Sequence, residues 1–322
     1  MTTVAITGPT GVLGRALCRR LQSDPAVERI VGLARRPFDP LTHGLTKMVY
    51  RRGDVAKRGD LVTAMDGADV LVHLAFVVSD RGVDPAAVRA VNVDGSRNVV
   101  EAAVAAGARR IVYASSIAAY GAHPDNPIPI REDHATRGQD GLYYAEHKAL
   151  VERFLDDVEA HEPGVTIIRM RPCTVVGPTT LDQLSGPLWA LRGLARLLRV
   201  LPDPGATALQ LVHEDDVAQA FALAITTEGA AGAYNLAGGG TITLRDLAQR
   251  LGAIRIPVPL QLAQVAADLA YRIGVSPFRA AWLGSLLHPV VVDTTKARTE
   301  LGWTPRYDTR TALDATLALL GR

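Results

Sequence analysis

Residues 143–148 read YYAEHK, and on a helix the 100° step per residue places Tyr144 and Lys148 one above the other, with Tyr143 pointing elsewhere. A phenol of ordinary pKa exchanges protons poorly near neutrality. An ammonium one turn away favours the phenolate and lowers that pKa, so the pair is suited to acid/base work. The same spacing is common on solvated helix faces, so a third group has to decide between the two readings. Ser116 in ASSIAAYG (114–121) is that candidate. It closes a strand-like run at the edge where open α/β sheets place ligands, and its hydroxyl can orient a carbonyl and share developing charge. Its structural alternative is a turn cap. If the strand persists, Ser115 projects the opposite way.

The other motif with chemical content is TGPTGVLG at residues 7–14, directly after the run VAIT and opening the helical RALCRRL. Gly8 permits a tight turn, Gly11 lets backbone approach a pyrophosphate, and Gly14 allows close helix–strand packing, with the anion held at the helix N-terminus. This strand–loop–helix context points to a dinucleotide. The cofactor-facing positions are Gly8, Thr10, Gly11, Val12, Leu13 and Gly14.

The elements that must position these groups alternate. VAIT, ERIVGLA, ADVLVHLA, RRIVYASS and VTIIRMRP are candidate strands within the first 172 residues, separated by alanine-rich helical stretches. That alternation predicts βαβ units wound into a parallel sheet. Residues 179–205 interrupt it with the amphipathic, basic LWALRGLARLLRVL and a PDPG turn. LQLVHEDDVAQAFALAI and AYNLAGG then resume strand–helix–strand, and 241–322 reads as mainly helical around IPVPL. The expected fold is α/β: a Rossmann-type doubly wound parallel sheet with a smaller, mainly helical C-terminal substrate domain. Residues 1–178 plus 206–240 form the dinucleotide-binding domain, and 179–205 plus 241–322 the substrate-binding domain.

Composition narrows the partners. Among 322 residues, 35 basic side chains are scattered between 33 acidic ones for a net charge of +2, which leaves no electrostatic footprint for nucleic acid. The chain has neither a signal-like start nor an apolar run long enough to span a membrane, so a soluble, cytoplasmic protein is expected. Cys18 and Cys173 lie far apart without metal-ligand spacing and read as small core residues; no metal is expected.

In order along the chain, TGPTGVLG, HLA (73–75), ASSIAAYG, YAEHK, RPCTVVGP (171–178), VHEDDVA (212–218) and LGWTP (301–305) resemble the motifs of the extended short-chain dehydrogenase/reductases, the epimerase/dehydratase-like group. The resemblance covers nearly the whole chain. It implies that Ser116 bonds the reacting oxygen, Tyr144 is the acid/base, and Lys148 holds the nicotinamide ribose and lowers the tyrosine pKa. It also implies Leu74 and Ala75 beneath the ribose and pyrophosphate, Asn92 near the loop after them, and Pro172 to Thr174 beside the nicotinamide. Asp54, next to Val55, resembles the acid that accepts from the adenine amino group, although an Asp after Gly is equally at home in a turn. Helices around 92–106 and 144–158 resemble those that pair in homodimers of this family.

An NAD enzyme offers a carboxylate to the ribose at the end of the second strand. This chain has Leu33-Ala34-Arg35-Arg36 there, and a guanidinium grips a 2′-phosphate, so NADP is expected, with NAD possible. Hydride transfer between a nicotinamide and a carbonyl or alcohol carbon is the expected reaction. The nucleotide-sugar enzymes of the group commonly read RYFN where this chain has Arg171-Pro172-Cys173-Thr174, and carry an arginine where Leu209 stands. SLLHPVVVD (285–293) lacks one as well. Arg192, Arg196 and Arg199 are the alternative anion clamp. These substitutions predict a relatively hydrophobic ketone or alcohol substrate, with nucleotide-sugar epimerisation or dehydration as the alternative. A non-catalytic NADP sensor on this fold would be expected to have lost the Tyr or the Lys.

Overall fold

The computed structural model describes residues 2–78, 83–180, 200–203, 208–252, 254–273 and 288–320; Arg192, Arg196 and Arg199 lie outside them. Seven strands make one sheet: β1 (Thr2–Thr7), β2 (Val27–Ala34), β3 (Met48–Arg52), β4 (Val70–His73), β5 (Arg110–Ala114), β6 (Thr166–Pro172) and β7 (Gly232–Leu236). Their spatial order is β3-β2-β1-β4-β5-β6-β7, and every pairing is parallel. The order reverses between β1 and β4, which is where an open sheet of this kind binds its ligand, at the carboxyl ends of the strands.

Each strand sends alternate residues to opposite faces, and both faces are apolar. Val4, Ile6, Val112, Ile168 and Met170 pack on one side with Leu17 and Leu21 of α1 (Val12–Gln22) and Val217 and Phe221 of the helix Glu214–Thr226. Ala5, Leu33, Leu71, Ile111 and Ile167 pack on the other with α2 (Arg58–Met65), α4 (Gly95–Ala105) and α5 (Tyr143–His161). The sheet is thus doubly wound, as expected. β3 is absent from the expected strands because MVYRR ends in two arginines and lacks a continuous apolar run. A second departure lies in IPVPL: Ile254–Pro257 is a strand pairing in parallel with Val200–Asp203. The prolines did not prevent this in so short, two-stranded a sheet.

Two of the motifs are structural staples. Trp303 of LGWTP is fully buried and its Nε1 donates to the Asp216 carbonyl at 2.9 Å, while the Asp216 carboxylate accepts from the backbone of Arg306 at 2.8 Å and Tyr307 at 3.1 Å. Glu214 takes the backbone N–H groups of Thr179 and Thr180, both at 3.1 Å. VHEDDVA and LGWTP therefore fasten distant segments to the sheet domain. Cys18 and Cys173 are both buried, and burial raises both thiols, Cys18 to about 12.

Candidate functional site

The cleft begins where β1 ends. Gly8 has φ +74, and a Cβ there would come within 3.0 Å of the Ala75 backbone nitrogen; a Cβ on Gly14 would lie 2.2 Å from the Gly8 carbonyl oxygen. Glycine at both positions is dictated by contact, and Gly14 lets α1 run close beneath the loop. Gly11 differs, because a Cβ there would meet protein only at 3.4 Å, from Gly8. As N-cap of α1 it provides no side-chain cap, and the first turn has no acidic residue. The helix thus presents its N-terminal amides, without a protein carboxylate, to a space bordered by backbone, which fits a pyrophosphate. Thr10, Val12 and Leu13 line the same turn, with the Thr10 carbonyl accepting from Arg15 Nε at 3.0 Å.

Thr7 fastens β1 to β4: its hydroxyl lies 2.6 Å from His73 Nδ1, and His73 Nε2 lies 2.8 Å from Ser96 Oγ. Burial, and secondarily the Lys148 charge, push His73 down to about 3, so it stays neutral. Leu74 and Ala75 follow directly, Leu74 N donating to the Thr7 carbonyl at 3.1 Å. Asn92, in a π-helical turn (Ala90–Asp94), is fully buried. Its Oδ1 accepts from Val77 N at 2.7 Å and its Nδ2 donates to Val77 O at 3.0 Å. It therefore clamps the loop after Ala75, in keeping with its expected place beside that loop.

At the adenosine end, Asp54 accepts from Ala56 N at 3.0 Å, the turn geometry foreseen as its alternative role, while Val55 is buried against α4. Arg35 and Arg36 are exposed past β2, and only their carbonyls are engaged, by Arg52 and Tyr50 respectively. Pro172 is buried at the end of β6, and Thr174 is exposed on the short strand Thr174–Val176.

The catalytic candidates converge on α5. Ser116 is 9% exposed, caps the turn Ile117–Tyr120 by accepting from Ala118 N at 3.2 Å, and also hydrogen-bonds the Tyr144 hydroxyl. It is thus both the turn cap and the phenol's partner. Ser115 turns the other way and donates to Glu152. Burial raises the Tyr144 pKa and only the Ser116 bond opposes the rise, so the depression expected from Lys148 is not seen in this arrangement. Lys148 is 2% exposed; its Nζ donates to the Ala114 carbonyl at 2.5 Å and lies 5.7 Å from the Tyr144 ring centroid. Burial holds its pKa well below the usual lysine range, with Glu152 pulling the other way.

Sequence reasoning missed what lies behind these groups. Glu152, four residues after Lys148 and 1% exposed, pairs with buried Arg171, whose Nε donates to Oε1 at 2.9 Å. Arg171 also donates to Tyr120 Oη at 2.8 Å and the Glu132 carbonyl at 3.0 Å, and Tyr120 donates to Asn235 Oδ1 at 2.8 Å. This network ties α5 to β6, to β7 and, through Ser115, to the end of β5. The signal was present as a Lys–Glu pair at i,i+4 and two arginines, Arg169 and Arg171, in a strand otherwise mostly apolar. Among the described residues, no group of three or more His, Cys, Asp or Glu side chains is placed to hold a metal, and no helix is long and apolar enough to cross a membrane.

Residues 4–237 match the model of the NAD dependent epimerase/dehydratase family. The chain belongs to that family. It is 27% identical over 320 residues to an uncharacterized protein of Mycobacterium tuberculosis (strain ATCC 25618 / H37Rv), covering 97% of this chain and 82% of that one. The crystal structure of gox2253 superposes with a TM-score of 0.74 at 26% identity, over 99% of this chain and 98% of that one. MoeE5 in complex with UDP-glucose and NAD matches with a TM-score of 0.74 at 21% identity, over 100% and 99% of the two chains. The family member described here is therefore a nicotinamide-dependent enzyme of the epimerase/dehydratase kind, with a Rossmann-like fold.

Proposed function

We propose that the chain is a nicotinamide-dependent oxidoreductase acting on a secondary alcohol or ketone that is more hydrophobic than a nucleotide sugar, with Tyr144 as acid/base. The carrying observation is the Ser116–Tyr144 hydrogen bond one helical turn from the Lys148 ammonium, beside the glycine cradle at the carboxyl edge of the sheet. A bound nicotinamide supplies or accepts the hydride. Tyr144 then gives a proton to, or takes one from, the substrate oxygen, and Ser116 orients that oxygen. Lys148 holds the ribose and lowers the phenol pKa once its ammonium faces it. Arg35 and Arg36, both exposed just past β2, favour NADP by gripping a 2′-phosphate.

The substrate reading rests on Leu209. Its side chain packs in an apolar cluster with Leu211, Ile242 and Leu313, so the position expected to carry a phosphate-binding guanidinium is given to packing instead. A second reading, nucleotide-sugar epimerisation or dehydration, is favoured by the family itself and by the likeness to MoeE5 bound to UDP-glucose and NAD. Thermal shift of the cofactor-loaded protein against UDP-, dTDP- and GDP-sugars, beside aryl and alkyl ketones, separates the two. Loss of two charge-assisted bonds to a buried diphosphate weakens binding roughly a hundredfold or more, so no sugar nucleotide should stabilise the protein. Micromolar stabilisation by any of them would move the second reading to first place. A kcat/KM higher for NADH than for NADPH would overturn the NADP assignment. Sedimentation showing only monomer would overturn the homodimer that the resemblance implies.

A further inference from the structure

We propose that Phe76 is a positioning residue for Lys148: the face of its ring holds the ammonium against the Ala114 carbonyl and sustains its charge in a site shut off from water. The Lys148 Nζ lies 3.5 Å from the Phe76 ring centroid, far closer than the 4.8 Å to Tyr113 and 5.7 Å to Tyr144. The quadrupole of an aromatic face attracts a cation at this range, and most strongly where water is excluded. Phe76 also meets Tyr144 edge-on, with centroids 5.6 Å apart and planes at 89°. One ring therefore touches both members of the Tyr–Lys pair.

The loop carrying Phe76 is held at several points. Asn92 grips the Val77 peptide from both sides and lies 3.4 Å from His147 Nδ1, and Tyr143 donates to the Val78 carbonyl. Tyr143 and His147 belong to α5, so the helix that carries Lys148 also helps fix the ring that faces it. Among the other groups near Lys148, only the Glu152 carboxylate favours its charge, and it does so through space, with no hydrogen bond to the ammonium. His73 on β4 is neutral, Tyr113 on β5 and Tyr144 on α5 are phenols raised by burial, and Glu152 already takes Arg171 and Ser115. The Phe76 face and the Ala114 carbonyl remain as the groups directly against the ammonium.

The chain has four lysines, Lys47, Lys57, Lys148 and Lys296, so a full-length sample labelled with ε-13C lysine gives few signals, and the spectrum of Lys148→Met identifies the one of interest. In Phe76→Leu the Lys148 titration midpoint is expected to fall by about half a unit to one unit, while Phe76→Trp keeps or raises it. An unchanged midpoint in a Phe76→Leu protein that melts as the wild type does overturns the proposal. If that variant does not fold, site-specific fluorinated phenylalanine at position 76 keeps the shape and drains the ring face; the same downward shift is expected, and no shift overturns it. A second measurement rests on the cofactor reading: the loss of NADPH affinity at alkaline pH, followed by fluorescence, moves to lower pH in Phe76→Leu by a matching amount. Wild-type protein that binds no NADPH would defeat the cofactor reading while the lysine titration still decides the role of Phe76.

Discussion

At the end of β1 the protein builds from backbone and glycine, whereas around Leu209 it builds from short strands and leucines. The first region is over-determined: Gly8 and Gly14 have no room for a Cβ, His73 joins Thr7 to Ser96, and Glu152 with Arg171 locks α5 behind the sheet. The second is held by a two-stranded pairing of Thr174–Val176 with Leu211–His213, a single bridge between Leu209 and Ile242, and a small apolar cluster. A cofactor shared across a family needs one fixed cradle, while a substrate pocket has to vary between members. The difference places the tightest backbone contacts beside the proposed dinucleotide cradle, while the Leu209 region is proposed to carry substrate choice.

If the sheet side is the rigid one, breaking its buried network should have the largest effect on stability. Arg171→Met leaves the Glu152 carboxylate buried without its guanidinium partner, which costs about 3–5 kcal/mol, whereas Glu152→Leu combined with Arg171→Met removes both charges and should recover much of the loss. Urea unfolding of the two variants measures this; equal destabilisation by both would mean that packing, not the uncompensated charge, controls the site. Tyr144→Phe comes next. It should fold and bind NADPH nearly as the wild type does while kcat falls roughly 10²-fold or more, with Tyr143→Phe mild by comparison. Near-wild-type turnover in Tyr144→Phe would sever the catalytic reading from the rigid side.

The glycine spacing, the Tyr144–Lys148 pair and the opposite directions of Ser115 and Ser116 were legible because each follows from local geometry: a loop before a helix, a four-residue step, a two-residue alternation. β3 was not legible, since Arg51 and Arg52 hide a strand that parallel pairing with β2 stabilises from outside. Phe76 escaped for a related reason. Nothing local distinguishes a phenylalanine after HLA from a core residue; its role depends on a helix some seventy residues later bringing Lys148 over its face. The rise of the Tyr144 pKa was equally out of reach, because desolvation is a property of the whole fold, whereas the Tyr144–Lys148 spacing is a local one.

A smaller effect tests the fastening of β1 to β4. His73 is pushed down to about 3 by burial, against an unfolded value of about 6.5, so between those values the unfolded chain binds a proton that the folded one refuses. Stability from this group is fully present above the unfolded pKa and is lost as pH falls through that window, with a slope of about 1.4 kcal/mol per pH unit. Urea midpoints at pH 7 and pH 5 should therefore differ more in the wild type than in His73→Asn. Parallel slopes would show that His73 takes up its proton without unfolding.

The smallest effect is expected in the later half of the chain, on the helix Leu260–Arg272. Leu262, Val265 and Leu269 recur at steps of three and four, so they share one face, and Leu262 is 61% exposed. Apolar side chains that stay in water in the folded state contribute little to its stability, and serine in their place removes no buried contact. Leu262→Ser and Val265→Ser should accordingly leave the unfolding free energy within about 0.5 kcal/mol of the wild type. The same type of change at a buried sheet position such as Val72, which is fully enclosed between helices, removes packed methyl groups and adds an unpaired hydroxyl, costing about 2 kcal/mol or more. Urea unfolding of the three variants side by side measures the contrast directly. A loss above about 1 kcal/mol at Leu262 would mean that this face is covered in solution, and a change in sedimentation of the same variant would identify a second copy as the cover.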